Sequence, residues 1–272
     1  PRYGRNQEKD FISFINFCNY FTDKIDTDLL RKAFIWCVRA HNLELRKSGE
    51  PYYTHPLEVA TIIVKNIAYD DTMVCSALLH DVLGKNTEIT IDDIRSEFGE
   101  TIAKIVESIS RITYLERQII NRDEYYRLLL LSLFTDVRII MVKIADRLHD
   151  MRNISYLEPE LQREIADDTM QIYCPFAHRF GLGTIKSELE DLSFKVLDKK
   201  NYDLVVRKLK LSHYEQERYL FIFTDPIIKK LEHTFISAKP KTEFEVYGRV
   251  KHIYSIYNKT LLRQKEIEEL YD

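Results

Sequence analysis

The chain has 272 residues, 45% of them hydrophobic and 31% charged, with a formal net charge of −3. That length suffices for a sizeable core in one or two domains, and the near-neutral balance excludes a protein held to nucleic acid by its overall field. Only 7 Gly and 7 Pro leave little material for long irregular loops, which together with the periodicity below favours a mostly helical chain.

The first 25 residues carry Phe11, Phe14, Phe17, Tyr20 and Phe21, a three-and-four spacing that makes one apolar helical stripe. Asp26-Thr-Asp28 is a capping signal for a second helix, whose apolar face runs from Leu30 through Ala33, Phe34, Cys37 and Val38 to Leu45. The polar turn 46–51 breaks it. Pro56 to Asn66 is apolar nearly all round, as a buried helix must be. Asp70 and Asp71 cap the next helix, which ends near Asp81. Thr90-Ile-Asp-Asp-Ile reads as a capping box, Phe98-Gly99 as a stop, and Glu100 to Ile112 as an amphipathic helix.

Tyr114 to Glu124 has no strong period and is expected to be a mobile loop. Tyr125 to Phe134 is helical, and 136–146 is expected to continue it. The β-branched run Val137–Val142 fits a strand as well, but nothing nearby supplies strand partners. Pro159 starts a further helix, 175–183 reads as a kinked turn, and Thr184 to Leu197 as a polar-faced helix. After about residue 200 the texture changes. Tyr202 to Phe235 is long, charged and helical, Phe244 to Lys251 alternates like a strand, and His252 to Leu262 returns to helix. A domain boundary is expected between residues 198 and 199.

Cys18, Cys37, Cys75 and Cys174 are widely spaced, with no Cys-x-x-Cys pair. They read as reduced core thiols, not a disulfide frame or a zinc site. No apolar run is long enough to span a bilayer, and the N-terminus lacks a secretory pattern, so a cytoplasmic protein with no membrane partner is expected.

The chemistry concentrates at His55, His80, Asp81 and Asp146. Two imidazoles and two carboxylates suit a first-row divalent metal that accepts mixed N and O ligands. The plainer reading is a chance His-Asp pair plus an ordinary ion pair of Asp146 with Arg147. His55 in a Thr-His-Pro turn and Asp146 inside an apolar run weigh against it, because an unpaired buried charge is costly. Arg46, Lys47 and Ser48, just before His55, read equally as a solvated turn and as an anion contact.

Four stretches, Arg-Lys-Ser-Gly-Glu-Pro-Tyr-Tyr-Thr-His-Pro (46–56), Ala-Leu-Leu-His-Asp (77–81), Asp-Val-Arg-Ile-Ile-Met-Val-Lys-Ile-Ala-Asp-Arg-Leu-His-Asp-Met-Arg (136–152) and Tyr-Cys-Pro-Phe-Ala-His-Arg-Phe-Gly (173–181), resemble the RelA/SpoT homologue family, which makes or degrades the alarmone (p)ppGpp. The resemblance implies an all-α HD-domain helical bundle over 1–198, with helical linker elements at its end. A short α/β fragment, the truncated start of a synthetase domain, would occupy 199–272. It implies Mn²⁺ held by His55, His80, Asp81 and Asp146, and a guanine nucleotide met by Arg46, Lys47, Ser48, Asp150 and Asn153. The implied reaction is hydrolysis of the 3′-pyrophosphate of (p)ppGpp. No nucleic-acid partner is expected, and the sequence leaves the oligomeric state open.

Two departures bear on turnover. Active hydrolases of the family carry an acidic pair shortly after His-Asp, whereas this chain has Gly84-Lys85-Asn86. Losing positioned acid–base help costs on the order of 10²–10⁴ in rate, so impaired hydrolysis or a metal- and nucleotide-binding remnant without turnover is expected. Asp150 stands where the family has Asn and can accept but not donate. Arg249, Lys251, Lys259 and Asp272 match synthetase motif positions, but the chain ends there, so no complete synthetase is expected.

Overall fold

The computed structural model describes residues 4–41, 44–67, 69–84, 88–116, 122–209, 213–235, 244–246, 248 and 251–265. It forms two compact units, Pro1–Leu189 and Glu190–Asp272, a division ahead of the expected 198/199 boundary.

Every named element among the described residues of the first unit is a helix. Helix α1 (Arg5–Phe21) buries Phe11, Phe14 and Cys18, and α2 (Thr27–His41) buries Leu30, Ala33, Phe34, Cys37 and Val38, the stripes their spacing dictates. The Asp26 carboxylate accepts from Leu29 N at 2.9 Å, satisfying one of the orphan donors at the start of α2. Helix α3 (Thr54–Asn66) and α4 (Asp71–Leu79) are buried on almost every side. Asp70 caps α4 by accepting from Met73 N at 2.8 Å. Helix α5 (Ile91–Glu116) opens on a reciprocal box, Thr90 N to Asp93 Oδ2 at 2.8 Å and Asp93 N to Thr90 Oγ1 at 3.2 Å. It bends at Gly99, where φ is +86°, a conformation that favours glycine. The four cysteines are free and buried, so burial pushes the Cys18 thiol, for example, up to about 12.

Helix α6 (Arg122–Thr135) is followed by α7 (Val137–Arg152), which packs against α3, α4, α5 and α6 and is the centre of the unit. A 3₁₀ turn (Ile154–Tyr156), α8 (Pro159–Asp168), a π turn (Thr169–Tyr173), α9 (Cys174–Arg179) and α10 (Gly183–Leu197) follow. In the second unit, α11 (Lys199–Lys208) and α13 (Ile253–Arg263) share a small core of Val205, Ile256, Leu209, Ile253 and Tyr257. Asp191 accepts from the backbone N–H of Ile253 at 3.3 Å and Tyr254 at 2.8 Å, capping α13 from a distant point in the chain. Helix α12 (His213–Phe235) completes the described elements.

Several expectations are corrected. Tyr114 to Glu116 belong to α5, because Glu116 is pinned by buried cations of α7. Residues 117–121 lie outside the described set. The helix expected to run from Tyr125 through Asp146 is broken at Asp136, whose extended backbone (φ −157°) lets its side chain cap Arg138 N at 2.9 Å. Val137–Val142 is helical, in keeping with the preference for helix over strand. The expected kinked turn at 175–183 contains α9, with Pro175 in its first turn, where its missing N–H costs nothing. The long helix expected over 202–235 is two helices, α11 and α12. The strand expected over 244–251 is absent from its described residues, 244–246, 248 and 251. No named strand occurs among the described residues to pair with it, only an isolated Leu45–Pro51 bridge. The fold class, all-α, holds.

Candidate metal centre

Three buried helical elements deliver the side chains. His55 lies in the first turn of α3, His80 and Asp81 follow the end of α4, and Asp146 sits mid-way along α7. Their polar atoms converge. His55 Nε2 is 3.2 Å from His80 Nε2, 3.2 Å from Asp146 Oδ1 and 3.7 Å from Asp81 Oδ2. His80 Nε2 is 3.6 Å from Asp81 Oδ2 and 3.7 Å from Asp146 Oδ1. The donor atoms of His55, His80 and Asp146 all lie within 4.8 Å of one another. Asp81 stands at the edge of this group. His55, His80 and Asp146 are each no more than 5% exposed.

Second contacts fix how each group points. His80 Nδ1 donates to Ala77 O at 2.6 Å, so its Nε2 must face the cluster. The Tyr52 hydroxyl donates to Asp81 Oδ2 at 2.7 Å. Lys143, 2% exposed, donates to Asp146 Oδ2 at 2.8 Å and to Glu116 Oε2 at 2.8 Å. Glu116 is also paired with Arg147, whose guanidinium lies 4.3 Å over the Tyr173 ring. The charges therefore form a buried chain of alternating sign, Arg147–Glu116–Lys143–Asp146, which makes their desolvation tolerable.

Burial alone would lower the His80 pKa, but Asp81 and then Asp146 raise it from 6.5 to about 9. Burial likewise opposes ionisation of Asp81, yet His80 and His55 bring it down to about 2. Asp146 is held well below the carboxylate range against burial, first by Lys143 and then by His55. A site that draws a proton onto a buried imidazole so strongly also favours a divalent cation. With two imidazole nitrogens and two carboxylate oxygens converging, the residues present fit such an ion.

Beside the cluster, and sharing His55 with it, is a cleft of about 230 Å³. Arg46, Lys47, Ser48, Asp150 and Asn153 all line it. The 46–50 turn is closed by Arg46 N to Glu50 O at 2.8 Å and Gly49 N to Arg46 O at 2.9 Å, with Gly49 at φ +89°, which aims its basic side chains at the cleft. Tyr52, Tyr156, Leu157 and Ile165 complete the lining and were not singled out from the sequence. His149 was also missed. Its Nδ1 is 2.9 Å from His55 Nδ1, its Nε2 is 3.0 Å from Arg46 Nη1, and burial lowers its pKa. The signals were a histidine three residues after Asp146, on the same helix face, and a tyrosine in the turn before His55.

Gly84 is described, but Lys85 and Asn86, which the resemblance aligns with the acidic pair, lie outside the described residues. Of the synthetase-motif positions, Arg249 and Asp272 also lie outside. Lys251 precedes α13 and Lys259 lies on it, both in the second unit. No helix among the described residues is long and apolar enough to cross a membrane.

Residues 33–183 match the HD domain family. The chain is 38% identical to a "GTP pyrophosphokinase" of Streptomyces antibioticus over 92% of this chain and 29% of that protein. It is 36% identical to a "guanosine-3′,5′-bis(diphosphate) 3′-pyrophosphohydrolase" of Haemophilus influenzae over 86% of this chain and 34% of that protein. It is 35% identical to the "bifunctional (p)ppGpp synthase/hydrolase SpoT" of Escherichia coli over 89% and 34%. These similarities bear out the resemblance to RelA/SpoT proteins read from the motifs. The chain spans about a third of the length of these relatives.

Proposed function

The chain belongs to the HD domain family, and from that premise we propose that it is a Mn²⁺-dependent hydrolase of the 3′-pyrophosphate of (p)ppGpp, with turnover impaired by the loss of the acidic pair after His80-Asp81. The convergence of His55, His80, Asp81 and Asp146 beside a cleft lined by Arg46 and Lys47 carries this reading. We assign 1–198 to the hydrolase domain and 199–272 to the start of a synthetase domain, in a cytoplasmic protein.

His55, His80, Asp81 and Asp146 would hold the ion, which when bound supplies Lewis acidity and a more acidic water. Tyr52 and Lys143 orient the two carboxylates through the oxygens they bind, as partners of metal ligands do. Arg46 and Lys47 supply positive charge for the phosphates of a bound nucleotide. Asn153 offers an amide to a nucleotide in the cleft, and Asp150, about half exposed, offers an acceptor. The walls formed by Tyr156, Leu157 and Ile165 provide the apolar surface against which a purine ring packs.

A second reading, binding without turnover, is favoured by one observation, Gly84-Lys85-Asn86 in place of carboxylates. Incubation with ppGpp and Mn²⁺ separates the two. Release of GDP and pyrophosphate above a His80→Ala control supports hydrolysis. Saturable binding with no product supports the second reading, and no binding of either metal or nucleotide removes both.

A further inference from the structure

Asp81 stands at the edge of the cluster, and its Oδ2 is held by the Tyr52 hydroxyl at 2.7 Å. Tyr52 itself sits on the turn between α2 and α3, partly buried and lining the open cleft. A tyrosine on a turn beside open space has other staggered rotamers within reach, and each of them carries the hydroxyl away from Asp81. The bond to Asp81 therefore depends on what holds the Tyr52 ring.

The ring that holds it belongs to His41, the last residue of α2, which is 6% exposed. The His41 imidazole stacks on Tyr52 with ring centroids 4.4 Å apart and planes 27° from parallel, at the close end of the range over which aromatic pairs attract. His41 Nδ1 lies 3.4 Å from Glu44 Oε2. Glu44 also joins the two backbones: its N–H donates to His41 O at 2.8 Å, and its carbonyl accepts from Tyr52 N at 2.9 Å. Arg46 N to Glu50 O at 2.8 Å draws the intervening loop shut, so Tyr52 returns to the end of α2. The Tyr52 ring also meets His55, but edge-on and farther away, at 5.9 Å and 73°.

We infer that His41 is a positioning residue for the metal centre: its buried ring holds Tyr52 in the rotamer whose hydroxyl reaches Asp81, and so fixes the ligand at the edge of the site. The inference rests on the reading of Asp81 as a metal ligand and involves no change of protonation. It brings α2, which supplies no ligand but packs against α4, into the shaping of the site.

The test titrates Mn²⁺ calorimetrically into the whole chain and its variants. His41→Leu and His41→Phe both lose the imidazole nitrogens, and only Phe keeps an aromatic face. His41→Leu is expected to lower Mn²⁺ affinity roughly three- to tenfold, the order that an aromatic pair is worth. His41→Phe is expected to stay within about twofold of wild type. His41→Met, apolar and more adaptable in packing, is measured beside His41→Leu, with the same expectation, so that the comparison does not depend on one substitution folding. In a Tyr52→Phe background His41→Leu is expected to have no further effect, because the hydroxyl it positions is gone. A role in folding alone would lower the unfolding midpoint and leave these affinities unchanged. Unchanged affinity in His41→Leu and His41→Met, equal losses from Leu and Phe, or an undiminished loss in the Tyr52→Phe background overturns the inference and leaves the metal reading intact. A wild-type chain that binds no Mn²⁺ overturns both. Independently of metal, ¹³C relaxation of the Tyr52 ring, assigned by its absence in Tyr52→Phe, should show wider motion in His41→Leu than in wild type or His41→Phe. A ring equally restricted in all three overturns the inference.

Discussion

Lys143 and Asp146, one turn apart on α7, form a 2.8 Å ion pair inside the protein that engages Asp146 Oδ2 and leaves Oδ1 facing His55 and His80. The ammonium thereby divides the carboxylate into a structural oxygen and one open to the cluster. Lys143→Met would remove the cation that Asp146 and Glu116 share, leaving Asp146 with only His55 and His80 and Glu116 with only Arg147. Removing one partner of a buried ion pair costs up to about 3–5 kcal/mol, less here because other partners remain, so the metal-free variant is expected to unfold at lower urea concentration. Mn²⁺ should restore part of the loss by compensating Asp146. A variant as stable as wild type without metal would show that Lys143 bears no such load.

Tyr52→Phe removes only the hydroxyl that donates to Asp81 Oδ2. Loss of such a partner of a metal ligand typically costs 10–100-fold in metal affinity, against about 1 kcal/mol in folding stability. Calorimetry with Mn²⁺ and a denaturation curve, read together, check this. Unchanged affinity would place Asp81 outside the metal shell.

The substitution Gly84→Glu with Lys85→Asp tests the impaired-turnover reading. A Cβ added at Gly84 meets only Asp81 O at 3.7 Å, an ordinary contact, so a side chain is accommodated there. Recovery of positioned acid–base groups is expected to raise ppGpp hydrolysis by about 10²–10⁴. Absence of any gain, with metal and nucleotide still bound, would mean that the defect lies elsewhere.

The metal-free chain should have an asymmetric pH profile. His80, raised from 6.5 to about 9, contributes stability that is full below pH 6.5 and lost as pH rises through 9. Asp81, lowered from 3.8 to about 2, contributes stability that is full above pH 3.8 and lost as pH falls through 2. These two groups therefore favour folding most between about pH 4 and 6.5, and thermal midpoints should decline from pH 6.5 toward 9. Mn²⁺ should flatten that decline, since the ion replaces the proton at His80. A midpoint that is flat or rises over this range without metal contradicts the assignment.

Much of the helical layout was legible from residue order alone. Period and capping are local properties: the stripes of α1 and α2, the caps at Asp26 and Asp70 and the box at Thr90 each involve residues within a turn or two of one another. Where the reading failed, a distant group had decided the matter. Glu116 was taken for part of a loop until its partners Lys143 and Arg147 were known. The alternation over 244–251 suggested a strand, but a strand exists only through a neighbour that supplies its hydrogen bonds.

The motifs in the sequence named His55, His80, Asp81, Asp146 and the basic turn as a group, because residue type and order carry that much. They did not show that Lys143 occupies one oxygen of Asp146, that Tyr52 holds Asp81, or that His149 stands between His55 and Arg46. Residue type states what a side chain can donate or accept. Which partner it finds, and hence the direction of each hydrogen bond in the site, depends on atoms brought within about 3 Å from separate helices, and only the packing of α3, α4, α5 and α7 settles that.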